Sequence, residues 1–222
     1  MTGNDVETLA TEAVIFDLDG VLVSTDEFHY QSWQRLADEE GIAFDREFNE
    51  RFRGVSRMQC LAMLLENTDK NYDEEEKQEL ADRKNGYYRA MIQDITSEDM
   101  LPGAAGTLDG LDRRNIKIAV ASGSKNAPFI VERIDISDKI QALVSGLDIT
   151  RSKPDPQVFL MAAERLSIAP EKCVVVEDAR TGVEAARNAG MRVLGIASEP
   201  FEKADRTVES LAKISVEQLL SL

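Results

Sequence analysis

Asp17 and Asp19 stand two residues apart, with Leu18 between them, in "AVIFDLDGVLVST", at the end of an apolar run and directly before Gly20. Three other short stretches carry groups that belong with them: Ser122 in "ASGSKN", Lys153 in "RSKPDP", and Glu177 with Asp178 in "VVVEDA". Brought to one rim, four carboxylates repel one another unless a cation sits among them. Hard oxygen donors of this kind suit Mg²⁺, which takes one or two protein carboxylates and leaves positions for water and a substrate phosphate. An ammonium at Lys153 would hold the acids together and meet a phosphoryl oxygen. Ser122 and the backbone amides of "SGSKN" offer donors to the same oxygens. The chemistry these parts suit is phosphoryl transfer, which asks for an in-line nucleophile and for neutralisation of charge on the equatorial oxygens. A calcium loop is the competing reading of Asp17 and Asp19, but Val21, Leu22 and Val23 occupy positions where it needs oxygen.

The elements that must position these groups follow from hydrophobic pattern. Runs rich in β-branched residues recur at 13–17, 116–122, 142–146, 173–178 and 192–198, nearly all apolar on both faces, as strands of a helix-covered parallel sheet are. Helical periodicity fills the intervals between the later runs, in "PGAAGTLDGLDRR", "APFIVERI", "DPQVFLMAAERL" and "TGVEAARNAG". The expected fold is therefore α/β, a doubly wound, mainly parallel, Rossmann-like sheet. In such sheets ligands bind beyond the carboxyl ends of the strands, where Asp17, Asp19, Ser122, Glu177 and Asp178 all fall.

One interval breaks the alternation. From Asp26 to Asp94 only helical patterns occur, which predicts a small helical domain inserted after the first strand. The chain thus divides into a core of residues 1–25 and 95–222 and a cap of residues 26–94. Hinges are expected at 24–26 and 95–101.

Composition narrows the partners. Of 222 residues, 43% are hydrophobic, enough for a sizeable core, and 41 acidic against 26 basic residues give a formal charge of −15. That balance disfavours nucleic acid and an anionic membrane as partners. No apolar run is long enough to span a bilayer, and the N-terminus has no secretory pattern. Cys60 and Cys173 lack metal-site spacing and read as buried small hydrophobes in a reducing compartment. A cytoplasmic monomer acting on a small molecule is expected.

"DLDGVLVST", "ASGS", "SKPDP" and "VVVEDARTGVEAARNAG", in this order, resemble the haloacid dehalogenase superfamily, and the resemblance covers nearly the whole chain. It implies that Asp17 is the nucleophile that forms an aspartyl-phosphate, and that Asp19 is the general acid/base. It also implies Mg²⁺ held by Asp17, the backbone carbonyl of Asp19, Glu177 and Asp178, with Ser122 and Lys153 on the transferring phosphoryl. "DEFHYQSW", "FNERFRGVSR", "ADRKN" and "IKIAVASGSKNAPFIVERI" are similar to the sugar-phosphomutase branch of that superfamily. That likeness implies conversion of β-glucose 1-phosphate to glucose 6-phosphate through a 1,6-bisphosphate. It assigns the distal phosphate to Arg53, Gly54, Val55 and Arg57 on the cap and to Ser124, Lys125 and Asn126 on the core, with Lys84 as a further candidate. His29 would couple cap closure to the placing of Asp19, Thr25 matches the pattern as a further catalytic residue, and Trp33, packed beneath His29, is counted with the substrate-binding residues. The chain departs from the pattern twice: Ser24 stands where many relatives carry Asp, and Arg53 where the mutase branch carries Lys.

Two other functions compete with the mutase. A phosphatase on the same scaffold would pass the phosphoryl group to water. A non-catalytic binding protein would have a degenerate site, against which the intact Asp17, Asp19, Lys153, Glu177 and Asp178 stand.

Overall fold

A computed structural model describes residues 10–52 and 54–222. In chain order the elements are β1 (Ala13–Phe16), α1 (Asp26–Glu40), α2 (Arg46–Glu50), α3 (Arg57–Leu65), α4 (Glu74–Met91), α5 (Ala104–Asp112), β2 (Lys117–Ala121), α6 (Ala127–Arg133), β3 (Ala142–Val144), α7 (Gln157–Leu166), β4 (Cys173–Glu177), α8 (Arg180–Asn188), β5 (Arg192–Ile196), β6 (Arg206–Val208) and α9 (Val216–Leu220). The six strands form one sheet in the order β3-β2-β1-β4-β5-β6, every pair parallel. The direction of winding reverses beside β1, between β1 and β4. That is the switch point at which open α/β sheets bind ligands.

Why the strands read as unbroken apolar runs is visible in their two faces. Val14, Phe16, Ile118, Val120, Val174 and Val176 point into one core layer. Ala13, Ile15, Ala119, Ala121, Cys173 and Val175 point into the other. Successive side chains alternate, and helices cover both sides, so neither set can be polar.

Between β1 and α5 the chain leaves the sheet. Helices α1 to α4 enclose a separate apolar cluster that includes Trp33, Leu36, Phe52, Cys60, Leu61 and Leu64. Helix α1 ends at Gly41 in the left-handed region, φ 69°, where a glycine carries no Cβ penalty. Helix α4 starts with a reciprocal cap between Asp73 and Glu76, and its far end departs from this cluster: Tyr88 and Ile92 pack with the hinge residues Val23 and Ile95 in the sheet's core layer. The two crossing strands of the hinge are joined by an antiparallel bridge between Val23 and Met100 and by the Leu101 amide donating to the Leu22 carbonyl at 2.9 Å. Among the described residues no helix is long and apolar enough to cross a membrane.

Two details differ from the pattern reading. Strand β6 was not foreseen, because its three residues "RTV" form a partly exposed edge with no apolar run to mark it. Strands β1 and β3 also stop earlier than expected: Asp17 lies just past β1, and β3 ends at Val144.

Candidate active site

The four strand ends nearest the switch point converge. Asp17 is buried, with its amide donating to the Val176 carbonyl of the neighbouring strand at 2.9 Å. Lys153, from the loop before α7, donates from Nζ to Asp17 Oδ1 and, at 2.6 Å, to Glu177 Oε2. The other oxygen of Glu177 accepts the amides of Asp178 at 3.1 Å and Ala179 at 3.0 Å, so this carboxylate is held at both ends. Asp17, Glu177 and Asp178 each present an oxygen such that all three lie within 4.8 Å of one another.

Two glycines permit this crowding. Gly20 has φ +80°, and a Cβ there would collide with the Asp178 carboxylate. A Cβ at Gly182 would collide with that of Glu177. The electrostatic cost shows in the acids. Burial, then the charges of Glu177 and Asp17, push Asp178 up to about 9. Burial pushes Asp17 up to about 7 against the opposing pull of Lys153, and Glu177 adds to the rise. Burial alone would lower Lys153, but Asp17 and Glu177 outweigh it and hold the ammonium charged. One buried cation facing three acids leaves negative charge over, and the donors are all hard oxygens, so the residues fit a divalent cation such as Mg²⁺.

Asp19 stands beside the three-acid group, where its charge adds to the rise at Asp17 and Asp178, and its carboxylate accepts from Thr25, from the amide at 2.6 Å on Oδ1 and from the hydroxyl on Oδ2. Thr25 occupies the N-cap position of α1, yet its hydroxyl makes no cap bond to that helix; the Asp19 carboxylate takes it instead. On the other side His29 Nε2 lies 3.7 Å from Asp19 Oδ2.

Behind His29 stands a cationic stack. Lys84 Nζ is 2.9 Å from His29 Nδ1, 4.8 Å above the Trp33 ring and 5.0 Å above that of Tyr88. The Tyr88 ring stacks on His29 with centroids 4.1 Å apart. Burial and then Arg57 lower Lys84 to about 7, and burial, Lys84 and Arg57 hold His29 well below its ordinary range. Two corrections follow. Trp33, 3% exposed, lies under the Lys84 ammonium and edge-on to Phe52 in the cap's own core, so it is packing rather than a ligand contact. Lys84, 2% exposed, is engaged by His29 and is not free on the surface to take a phosphate.

Arg57 opens α3, whose first turn is closed by a reciprocal Ser56–Gln59 cap, and half-burial depresses its basicity. Before it, Gly54 has φ +70° and is pressed against the core: a Cβ there would collide with Thr181 Oγ1. Among the described residues that hydroxyl is buried without a hydrogen-bond partner. Val55 is partly buried on the cap cluster. Arg53 lies outside the described residues.

On the core side, Ser122 Oγ accepts the Ser124 amide at 3.1 Å, and Ser124 Oγ accepts the Asn126 amide at 3.2 Å, an ordered turn into α6. Asn126 Nδ2 donates to Asn85 Oδ1 on α4 at 3.0 Å, a direct core-to-cap bond, while Lys125 is exposed. Sequence reasoning missed Tyr88, Asn85 and Thr181. Tyr88 follows Lys84 by four residues, a helical spacing that places both on one face of α4; for Thr181 no signal distinguished a hydroxyl in the first turn of a helix.

Comparisons with known proteins agree with this geometry. A family model for haloacid dehalogenase-like hydrolases matches residues 11–190. Beta-phosphoglucomutase of Bacillus subtilis is 41% identical over 211 residues, 94% of this chain and 93% of that protein. A phosphorylated carbohydrates phosphatase of Thermotoga maritima is 30% identical over 216 residues, 95% of this chain and 97% of that one. The crystal structure of beta-phosphoglucomutase from Clostridium difficile matches with a TM-score of 0.88 at 40% identity, covering 93% of this chain and 94% of that one.

Proposed function

The chain belongs to the haloacid dehalogenase-like hydrolase family, and from that premise we propose that it is a phosphomutase converting β-D-glucose 1-phosphate to glucose 6-phosphate and back. The observation that carries this reading is the separation of two carboxylates two residues apart in sequence. Asp17 is locked into the acid–lysine cluster, whereas Asp19 is held on the hinge by Thr25. In this reading Asp17 takes the phosphoryl group and Asp19 arrives when the cap moves.

The steps follow from these roles. Phosphorylated Asp17 gives its phosphoryl group to the 6-hydroxyl of β-glucose 1-phosphate: the O6–P bond forms, the Asp17 Oδ–P bond breaks, and the hydroxyl proton passes to Asp19. The bisphosphate turns end for end. Asp17 Oδ then attacks the phosphorus at C1, the P–O1 bond breaks, and Asp19 returns the proton to O1. Lys153 and Ser122 hold the transferring oxygens. Arg57 with the Gly54–Val55 segment, and Ser124, Lys125 and Asn126, hold the phosphate that is not reacting; Arg53 belongs with the former. An arginine suits that remote site because its planar fork binds phosphate in bidentate fashion. Asp17, Glu177, Asp178 and the Asp19 carbonyl would hold Mg²⁺, which would supply neutralisation of phosphoryl charge.

Residues 26–94 act as the cap and residues 1–25 and 95–222 as the core. Closure of the cap excludes water that would otherwise hydrolyse the aspartyl-phosphate. The reading includes a cytoplasmic monomer, and the formal charge of −15 supports a small sugar phosphate as partner rather than nucleic acid or an anionic membrane.

A second reading, a phosphatase of small sugar phosphates, has support in the Thermotoga relative. One assay separates the two. Protein, Mg²⁺ and β-glucose 1-phosphate, started with a trace of the 1,6-bisphosphate, should yield glucose 6-phosphate. Free phosphate as the main product would select the phosphatase.

A further inference from the structure

Thr181 carries no role above, yet it stands where the cap loop presses on the core. It is the second residue of α8, three residues past Asp178. In mid-helix a threonine hydroxyl can turn back to the carbonyl three or four residues earlier. Here those carbonyls belong to Asp178 and Glu177, which precede the helix, and the Ala179 carbonyl already accepts the amides of Gly182 and Val183 at 3.0 Å. Among the described residues Thr181 Oγ1 is buried and has no hydrogen-bond partner. What presses on it is Gly54: a Cβ there would stand 2.4 Å from Oγ1 and 3.6 Å from the Ala179 Cβ. The loop thus comes close enough to shut water away from the hydroxyl, and no described atom accepts its proton in return.

We propose that Thr181 is a positioning residue whose unpaired hydroxyl weakens the seating of the 54–57 loop on the core and so sets how fast a sugar phosphate leaves. The inference rests on the reading that this loop holds the phosphate that is not reacting. A hydroxyl taken out of water without a new partner costs free energy, and the cost applies only while Gly54 is seated. When the loop lifts, water reaches Oγ1. The contact therefore carries a bias against its own closing, which the bound phosphate must offset. A ligand that needs the seated form has its affinity reduced by the fraction of protein so seated. That reduction serves the reaction, because the bisphosphate must turn end for end between the two transfers, and a loop seated too firmly would not release its phosphate. A threonine that merely filled space would show in stability alone.

The test is Thr181→Val, which keeps the branched shape and removes the hydroxyl, with Thr181→Ala as a second variant that leaves the loop more room. Binding of glucose 6-phosphate with Mg²⁺ present is measured by calorimetry, its release by displacement of labelled glucose 6-phosphate, and kcat and KM with β-glucose 1-phosphate. The dissociation constant should fall roughly fivefold or more, the factor set by the lower end of the cost of one unpaired buried hydroxyl. Release should slow by a similar factor, with KM falling in step and kcat unchanged or lower. Tighter binding with slower release in either variant supports the proposal. An unchanged or weaker constant in both, or release no slower in both, overturns it, whatever the melting temperature does. If the wild-type protein binds glucose 6-phosphate yet forms none from β-glucose 1-phosphate, the mutase reading fails while the binding constants still report on Thr181. A wild-type protein that binds no glucose 6-phosphate defeats both.

Discussion

Lys153 Nζ lies 2.6 Å from Glu177 Oε2 while also donating to Asp17, so one ammonium joins the loop before α7 to the ends of β1 and β4. All three side chains are nearly out of solvent. Removing the cation leaves two buried carboxylates without their partner, which is more costly than the intact pair is stabilising. Lys153→Ala is therefore expected to lower stability by about 3–5 kcal/mol and to abolish phosphoryl transfer. Denaturant unfolding and the mutase assay check both, and a variant as stable as the parent would contradict the burial argument.

The acid cluster predicts a pH-dependent response to Mg²⁺. Asp178 titrates at about 9 in the folded protein against an ordinary value of 3.8, and Asp17 at about 7. Between the ordinary and raised values the folded state binds more protons than the unfolded one, so without a divalent ion stability falls as pH rises through that window. A cation among the acids offsets their repulsion most where they are ionised. The rise in melting temperature on adding Mg²⁺ should be larger at pH 8 than at pH 5; an equal rise at both would argue against binding at these residues.

For Lys84 the sign is opposite. Its folded value of about 7 lies below the ordinary 10.5, so the folded state binds fewer protons between the two and stability grows as pH rises through that interval. Lys84→Met, of similar shape without the charge, should raise the melting temperature most at pH 6 and less at pH 9, while turnover falls through loss of the His29 contact. A pH-independent difference in melting temperature would show that the ammonium is not what burial penalises.

Gly54 and Thr181 predict how closely the cap seats. At φ +70° an alanine costs about 1–2 kcal/mol for conformation alone, and its methyl would strike Thr181 Oγ1. Gly54→Ala should raise KM for the sugar phosphate more than it lowers stability. Adding Thr181→Ala removes the struck atom and should recover part of KM but none of the conformational loss. No recovery would mean that the cap loop is limited by backbone geometry only.

The two acids themselves separate by substitution. Asp17→Asn should abolish aspartyl-phosphate formation and with it both mutase and phosphatase turnover. Asp19→Ala should lose mutase turnover while Mg²⁺ still protects against thermal unfolding, because the carboxylates proposed to hold the ion are those of Asp17, Glu177 and Asp178. Mutase turnover near the parent level in Asp19→Ala would remove it from the acid/base role.

Much of this was legible in the chain because its causes are local. Strands covered on both faces must be apolar at every position, so β1, β2, β4 and β5 announced themselves. Residues that follow such strands fall at one rim whatever the rest of the fold does, which is why Asp17, Ser122, Glu177 and Asp178 could be grouped in advance. Strand β6 could not be read, since three partly exposed residues carry no periodic signal.

What tertiary structure alone decided is which way each group faces. Residue types placed Asp17 and Asp19 together, but only the fold gave them different partners, Lys153 for Asp17 and the Thr25 amide and hydroxyl for Asp19. Lys84 carried the right chemistry for a ligand, but packing of α4 on α1 buried it between His29 and the Trp33 ring. Sequence specifies the inventory of charge and the apolar pattern that gathers it, because these depend on residue type and spacing. Orientation and burial depend on partners tens of residues away, and those are settled only when the chain has folded.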